Sequence, residues 1–188
     1  MRSHIKVFKI KMMVIACVLG LTVSSRGFSE EAAPLANKSL KAGQPIPWLA
    51  GWTVDGQVMN LKHMLKRDHK FNVLIVSASW CEACKVCLMK IKPQRSQFDA
   101  KKVGIFAVDF MEDAETAKEY LSQFGFSVDS IILDQFGSIA NSLGVMRSEK
   151  AKSEVAALPL TVVFDKQGKV TEVVEGCPDS YLKGVLGV

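Results

Sequence analysis

The sequence predicts an α/β protein whose central mixed β-sheet carries helices on both faces. Short apolar runs typical of buried strands alternate with longer segments of helical character between Phe71 and Leu143. Two further strand-like runs flank the turn Asp165–Gly168, which adds an antiparallel hairpin and makes the sheet mixed. At 188 residues, the chain is long enough for one domain with a sizeable core.

The first predicted elements form an N-terminal extension of the sheet. The segment Gly43–Leu49 leads into a β-hairpin over residues 51–61, which turns at Asp55-Gly56 because this dipeptide suits a tight turn. A short helix or turn follows over His63–His69. The apolar run Phe71–Val76 then predicts the first central strand.

The later elements complete the sheet and its helical layers. A helix is predicted over Glu82–Phe98, with Pro93 as a kink or break because proline lacks a backbone N–H. The other predicted strands are Val103–Val108, Val128–Leu133, Thr161–Phe164 and Val170–Val174. The other predicted helices are Asp113–Phe124, Ser138–Leu143 and Tyr181–Leu186.

The net charge of +5 comes entirely from the N-terminus. Five basic residues precede Glu30, the first acidic residue, and without them 19 of the 24 basic residues remain against 19 acidic ones. The rest of the chain is therefore formally neutral. No basic face is left to indicate a nucleic-acid partner.

Residues 1–29 have the pattern of a signal peptide or an N-terminal membrane anchor. A basic stretch precedes the apolar run Met12–Val23, and about 12 apolar residues fall short of the roughly 20 that span a bilayer. Lipidation at Cys17 and an uncleaved anchor both remain open. We expect a periplasmic or otherwise exported protein, with a flexible leader over residues 30–39 and the folded domain over residues 40–188.

The most informative motif is Trp80-Cys81-Glu82-Ala83-Cys84, which directly follows the first central strand. At a strand-to-helix junction, free backbone N–H groups and the helix dipole favour negative charge. The thiol of Cys81 should therefore ionise more readily, and the thiolate is the nucleophile of disulfide exchange. In an exported protein a structural disulfide is the alternative interpretation, but a ring with two intervening residues adds little stability.

Several motifs in a fixed order resemble the thioredoxin superfamily, and within it the exported TlpA-like thiol–disulfide oxidoreductases of the redoxin type. The resemblance runs from Lys41 to Gly176. It rests on these residues: Gly43, Pro47, Asp55-Gly56, Ala78–Lys85, Val108-Asp109, Leu133-Asp134, Gly137, Leu158-Pro159 and Phe164–Val170. It implies a thioredoxin-like fold and a cis Leu158–Pro159 bond facing the cysteine pair. A proline that merely starts a strand, in trans, is the alternative.

The resemblance also implies roles for these residues. Cys81 attacks a substrate disulfide, and Cys84 resolves the mixed disulfide, so the two form the redox-active pair. Trp80 packs beside the pair, while Leu158 and Pro159 shape the groove for an extended substrate. The implied partners are protein disulfides, such as those of apocytochrome c or of metal sites, and a membrane thiol electron donor. No cofactor and no metal are expected, and the membrane is reached only through the N-terminus.

The chain departs from its relatives at three places. Cys87 replaces a glutamate that often follows the pair, and Ile75 replaces the buried acid of cytoplasmic thioredoxins, so proton transfer at Cys84 needs another group or water. Residues 146–158 form an insert, which we expect to be a mobile loop or short helix beside the groove, or else a solvated extension.

The remaining cysteines leave alternatives open. We expect Cys87 and Cys177 to be small buried residues, with a disulfide between them, a redox relay or a metal role as the other choices. A copper- or zinc-binding module that uses the cysteines is the competing function, although three ligands on one helix converge poorly on a metal. A peroxidase is disfavoured because the Pro-x-x-x-Thr-x-x-Cys pattern is absent around Cys81.

Overall fold

A seven-stranded mixed sheet forms the centre of the protein in the computed structural model, which describes residues 39–147 and 155–178. The strand order is β2-β1-β5-β4-β3-β8-β9, and a separate two-stranded ribbon pairs β6 with β7. The strands are β1 (Ala50–Thr53), β2 (Val58–Asn60), β3 (Phe71–Ser77), β4 (Val103–Phe110), β5 (Ile131–Asp134), β6 (Met146–Arg147), β7 (Val155–Ala156), β8 (Leu160–Asp165) and β9 (Val170–Glu175).

Helices cover both faces of the sheet, as the sequence predicts. They are α1 (Leu61–Lys66), α2 (Glu82–Ile91), α3 (Arg95–Ala100), α4 (Ala114–Ser122) and α5 (Ser138–Leu143). Alternate residues of β3 and β4 point to opposite sides and build two core layers. One layer packs against α1 and α5, and the other against α2, α3 and α4.

Strand β3 is an interior strand of the sheet and positions the cysteine motif. It pairs in parallel with β4, from Phe71 opposite Val103 to Ser77 opposite Asp109, and antiparallel with β8. Both neighbours cover its backbone and both faces are buried, which explains its almost continuous apolar sequence. The chain leaves β3 at one end of the sheet and enters α2 there.

The predicted N-terminal hairpin is confirmed. Strands β1 and β2 pair across Asp55-Gly56, and Gly56 adopts a φ of 82° that the turn requires. Trp52 of β1 lies opposite Leu133 of β5, so the hairpin extends the sheet at its β5 edge. The closing hairpin of β8 and β9 is also confirmed.

One predicted element needs correction, and a predicted break is confirmed. Residues Val128–Ser130 form a 3-10 turn and the strand begins only at Ile131, because the Ser127 and Ser130 side chains make local hydrogen bonds that favour a turn. The helix predicted over Glu82–Phe98 is divided into α2 and α3 by a 3-10 turn at Lys92–Gln94, which confirms the break at Pro93.

The two described ends of the insert pair as a β-ribbon, while residues 148–154, on which the predicted mobile loop or short helix falls, lie outside the described residues. Met146 lies opposite Ala156 and Arg147 opposite Val155, and the ribbon is continued by a hydrogen bond from the Ala157 N–H to the Val145 carbonyl at 3.0 Å. Residues 1–29, most of the leader and the predicted helix Tyr181–Leu186 lie outside the described residues. In the described ranges, no helix has both the length and the apolarity needed to cross a bilayer.

Asp134 fastens α5 to the sheet. Its buried carboxylate accepts the Ile139 N–H at 3.1 Å and the Ala140 N–H at 2.8 Å, so it caps a helix that otherwise begins at Gly137 without a side-chain cap. We expect Asp134→Ala to lower the free energy of unfolding by about 2 kcal/mol, because both helix N–H groups lose a charged acceptor. Asp134→Asn, which keeps one acceptor oxygen, should lose less in urea denaturation. Equal stabilities of all three proteins would contradict this role.

Candidate active site

Cys81 and Cys84 form a disulfide at the junction between β3 and α2. Their Cα atoms are 5.2 Å apart. Cys81 is the N-cap of α2, and its Sγ accepts the backbone N–H of Cys84 at 3.1 Å. The sulfur therefore occupies the acceptor position at the positive end of the helix, where a thiolate would be stabilised by the same N–H group.

The two cysteines differ in exposure. Cys81 is 8% exposed, whereas Cys84 is completely buried. A substrate disulfide can thus approach Cys81 but has no access to Cys84. This asymmetry matches an attacking and a resolving cysteine.

Trp80 lies on the surface next to Cys81. Its ring is 61% exposed and makes an edge contact with Phe110 at 6.4 Å between centroids. Trp80 is therefore not a core residue. The ring instead offers an apolar surface one residue before the accessible sulfur.

Pro159 follows a cis peptide bond at Leu158, as the resemblance implies. Leu158 is half-buried and packs against the core layer that contains Cys81 and Cys84. The Pro159 carbonyl accepts the Gly176 N–H at 2.9 Å, which holds this turn against the chain after β9. The structure thus brings Leu158 to the same core layer as the cysteine pair, and Pro159 directly follows it.

Cys87 and Cys177 form a second disulfide, with Cα atoms 5.3 Å apart. The sequence favoured two unpaired buried cysteines, and this expectation is wrong. Cys87 lies one turn after Cys84 on α2 and points into the other core layer, where Cys177 packs against it from the chain after β9. The bond ties the active-site helix to the end of the last described strand.

A pair of carboxyl groups lies behind the motif, and sequence reasoning assigned them no role. Glu112 accepts the Ser79 N–H at 2.8 Å and also the Ser79 hydroxyl, two residues before Cys81. Asp109, at the end region of β4, is completely buried. Burial, followed by the negative charge of Glu112, raises the pKa of Asp109 to about 8. The signal available in the sequence was an acid inside an otherwise apolar run, Val103–Phe110.

Within residues 39–147 and 155–178, no three His, Cys, Asp or Glu side chains are arranged to hold a metal ion. The four cysteines of these two ranges are all paired. The competing interpretation as a metal-binding module therefore has no ligand set among the described residues.

The comparisons with known proteins agree with this geometry. The redoxin family model matches residues 41–180. The chain belongs to the redoxin family. It is a thioredoxin-fold thiol–disulfide oxidoreductase of the TlpA-like type, since this family, the cysteine pair and the sheet occur together.

Individual relatives are distant but cover most of this redoxin. The thiol–disulfide oxidoreductase ResA of Bacillus thuringiensis subsp. konkukian is 22% identical over 94% of the chain and 91% of its own length. The thiol:disulfide interchange protein DsbE of Pseudomonas fluorescens biotype C is 24% identical over 91% and 88%. The solved structure of peroxidoxin BcpB from Mycobacterium tuberculosis superposes with a TM-score of 0.65 at 17% identity, over 79% of this chain and 95% of that one. That last likeness shows the fold alone.

Proposed function

We propose that this redoxin is an exported enzyme that exchanges the Cys81–Cys84 dithiol with disulfides of protein substrates, chiefly as a reductant. The observation that carries the proposal is the position of the Cys81 sulfur at the N-cap of α2, where it accepts the Cys84 N–H. The accessible sulfur is thereby placed where a thiolate is favoured.

The reaction proceeds in two exchanges. The Cys81 thiolate attacks one sulfur of the substrate disulfide, a Cys81–substrate bond forms, and the other substrate sulfur leaves as a thiolate that takes up a proton. Cys84 then gives up its proton and attacks Cys81, and the second substrate sulfur leaves. Two electrons pass from the enzyme dithiol to the substrate, and the enzyme is left as the disulfide seen in the structure.

We expect the surface around Cys81 to recognise the substrate. An extended substrate segment would lie against Leu158 and Pro159, with the exposed ring of Trp80 as an apolar contact on the other side of the sulfur. Substrates of this kind include the cysteines of apocytochrome c and of metal sites before they are loaded. A membrane thiol carrier would return two electrons to Cys81–Cys84 after each turnover.

Export is proposed from the N-terminal sequence. Basic residues followed by the apolar run Met12–Val23 fit a signal peptide or membrane anchor over residues 1–29, ahead of the leader 30–39 and the thioredoxin-like domain 40–188. The location would then be periplasmic or otherwise outside the cytosol, where substrate disulfides are available to reduce.

Trapping with Cys84→Ser tests the proposed function. The variant lacks the resolving sulfur, so the mixed disulfide on Cys81 should accumulate, and mass spectrometry of the non-reduced complex would identify the substrate. The double variant Cys81→Ser/Cys84→Ser is the matched control and should trap nothing. Equal trapping by both variants, or no covalent complex with Cys84→Ser in the exported fraction, would contradict the proposal.

A further inference from the structure

The end of the sheet opposite the cysteine motif carries an excess of basic residues. The segments that meet there precede the parallel strands β3, β4 and β5, form the turn between β8 and β9, or pair with that turn. We call this surface the base, and it consists of residues 41–45, 66–70, 99–102, 127–130 and 165–169. These segments contain eight basic and four acidic residues.

The other end of the same parallel strands is acidic. The segments that follow β3, β4 and β5 are residues 78–82, 111–115 and 135–138, and they contain four acidic residues and no basic one. The equal numbers of basic and acidic residues in the chain from Glu30 onward therefore conceal a separation of charge along the strands. A negatively charged surface is attracted to the base and repelled by the end that bears Cys81.

Most of the cations of the base are not neutralised by a neighbouring carboxylate. Arg67 forms an ion pair with Asp129 at 3.2 Å, and Lys102 forms one with Asp68. The other lysines of the base are exposed and make no ion pair with a described residue: Lys41, Lys66, Lys70, Lys101, Lys166 and Lys169. Their ammonium groups are therefore available to anions outside the protein.

The N-terminal part of the chain joins the fold at the base. The Ile46 N–H donates to the Gly168 carbonyl at 2.8 Å, so the chain enters beside the turn between β8 and β9. Only 17 residues separate the apolar run Met12–Val23 from Lys41, and a chain of that length spans at most about 60 Å. An N-terminus attached to a membrane would therefore hold the base close to the lipid surface at a high local concentration.

We propose that the base docks on an anionic lipid bilayer and holds the Cys81 end of the sheet away from the membrane. Charge complementarity supports a surface of phosphate head groups, since each lysine near such a surface adds to the attraction. The point of chain entry favours a bilayer over other polyanions, because the segment that we expect to reach the membrane begins there. The inference goes beyond the proposed exchange reaction and adds a second membrane contact to the N-terminal one.

This orientation sets the height at which the cysteine pair meets its partners. Strand β3 runs from the base to the cysteine motif and has seven residues. At about 3.3 Å per residue, the strand alone places Cys81 ~20 Å above the head groups. A membrane electron donor would therefore have to present its thiols on a part that extends at least this far from the lipid.

Lysine footprinting of the full-length protein tests the proposal. The protein is reconstituted in phosphatidylcholine vesicles with or without phosphatidylglycerol, treated with a water-soluble acetylating reagent and analysed by mass spectrometry. In the anionic vesicles at low salt, we expect the exposed lysines of the base to be acetylated about fivefold more slowly, and high salt should abolish the difference because it screens surface charges. Lys85, in the first turn of α2 beside the cysteine motif, should react equally in all samples.

Two variants with the same net charge separate the position of the lysines from their number. Lys70→Glu/Lys166→Glu should lose the protection of the remaining base lysines. Lys85→Glu/Lys118→Glu should keep it, because these two exposed lysines lie on α2 and α4, outside the base. Circular dichroism checks that both variants fold, and the base variant should retain disulfide exchange with insulin.

The possible outcomes distinguish this proposal from the proposed function. Equal acetylation in the two kinds of vesicle, or equal protection in the two variants, would overturn the docking and leave the exchange reaction intact. Protection of the base by inorganic phosphate or by a DNA duplex, without anionic lipid, would overturn the bilayer as the occupant. Normal protection of the base in a wild-type protein that exchanges no disulfide would overturn the proposed function alone.

Discussion

Replacing Cys81 by serine should abolish measurable reduction of disulfide substrates. The hydroxyl of serine stays protonated at neutral pH and cannot form the mixed disulfide, and Cys84 cannot substitute because it is completely buried. Loss of the nucleophile removes the first exchange, so no later step can compensate. The measurement is the reduction of insulin, or of a peptide disulfide, by pre-reduced enzyme under anaerobic conditions.

Cys84→Ser is the matched comparison for this experiment. It keeps the attacking sulfur, so it should form the mixed disulfide in a single turnover at a rate close to that of wild type but fail to turn over further. If Cys81→Ser kept a substantial single-turnover rate and Cys84→Ser did not, the assignment of attacking and resolving cysteines would have to be reversed.

Cys177→Ser should cost much more stability than loss of the Cys81–Cys84 disulfide. The Cys87–Cys177 bond joins residues 90 positions apart, and cross-linking a loop of that length restricts the unfolded chain by about 4.5 kcal/mol in the chain-entropy model. Cys87 remains behind as a small buried thiol, which costs little by itself. We therefore expect the free energy of unfolding to fall by about 4 kcal/mol in urea denaturation of the oxidised proteins.

The double variant Cys81→Ala/Cys84→Ala is the control for this prediction. It removes a disulfide between residues only three positions apart, so little stabilisation is lost. Disulfide exchange should show the opposite pattern, retained in Cys177→Ser and absent in the double variant. Equal losses of stability in the two variants would show that loop length is not the source of the stabilisation.

Local patterns in the sequence were sufficient for most of the fold. The run Phe71–Val76 does not alternate between apolar and polar residues because both faces of β3 are buried. The dipeptide Asp55-Gly56 strongly favours a tight turn, and the hairpin turns there. The position of Cys81 at the start of α2 also follows from local pattern, since a strand and a helix meet there. The cis bond before Pro159 came from the resemblance, because the proline itself fits either isomer.

The features that were missed depend on contacts between distant segments. The sequence around Cys87 does not indicate that Cys177 lies beside it. The two cysteines meet because the chain after β9 packs against α2. Asp109 looks in sequence like the polar end of a strand, and only the packing of the α4 side of the sheet makes it buried. At Val128 the error was local, because serine side chains outweighed the β-propensity of valine.

The helix α2 bears one member of each disulfide, and the two bonds enclose rings of very different size. The Cys81–Cys84 bond closes a ring of only four residues. Its reduction and re-formation in each catalytic cycle therefore change the conformational freedom of the chain very little. The second fastens the same helix to the far end of the polypeptide across 90 positions. The protein can therefore pass through the dithiol form in every cycle while the Cys87–Cys177 bond keeps α2, and with it the reactive sulfur, in place.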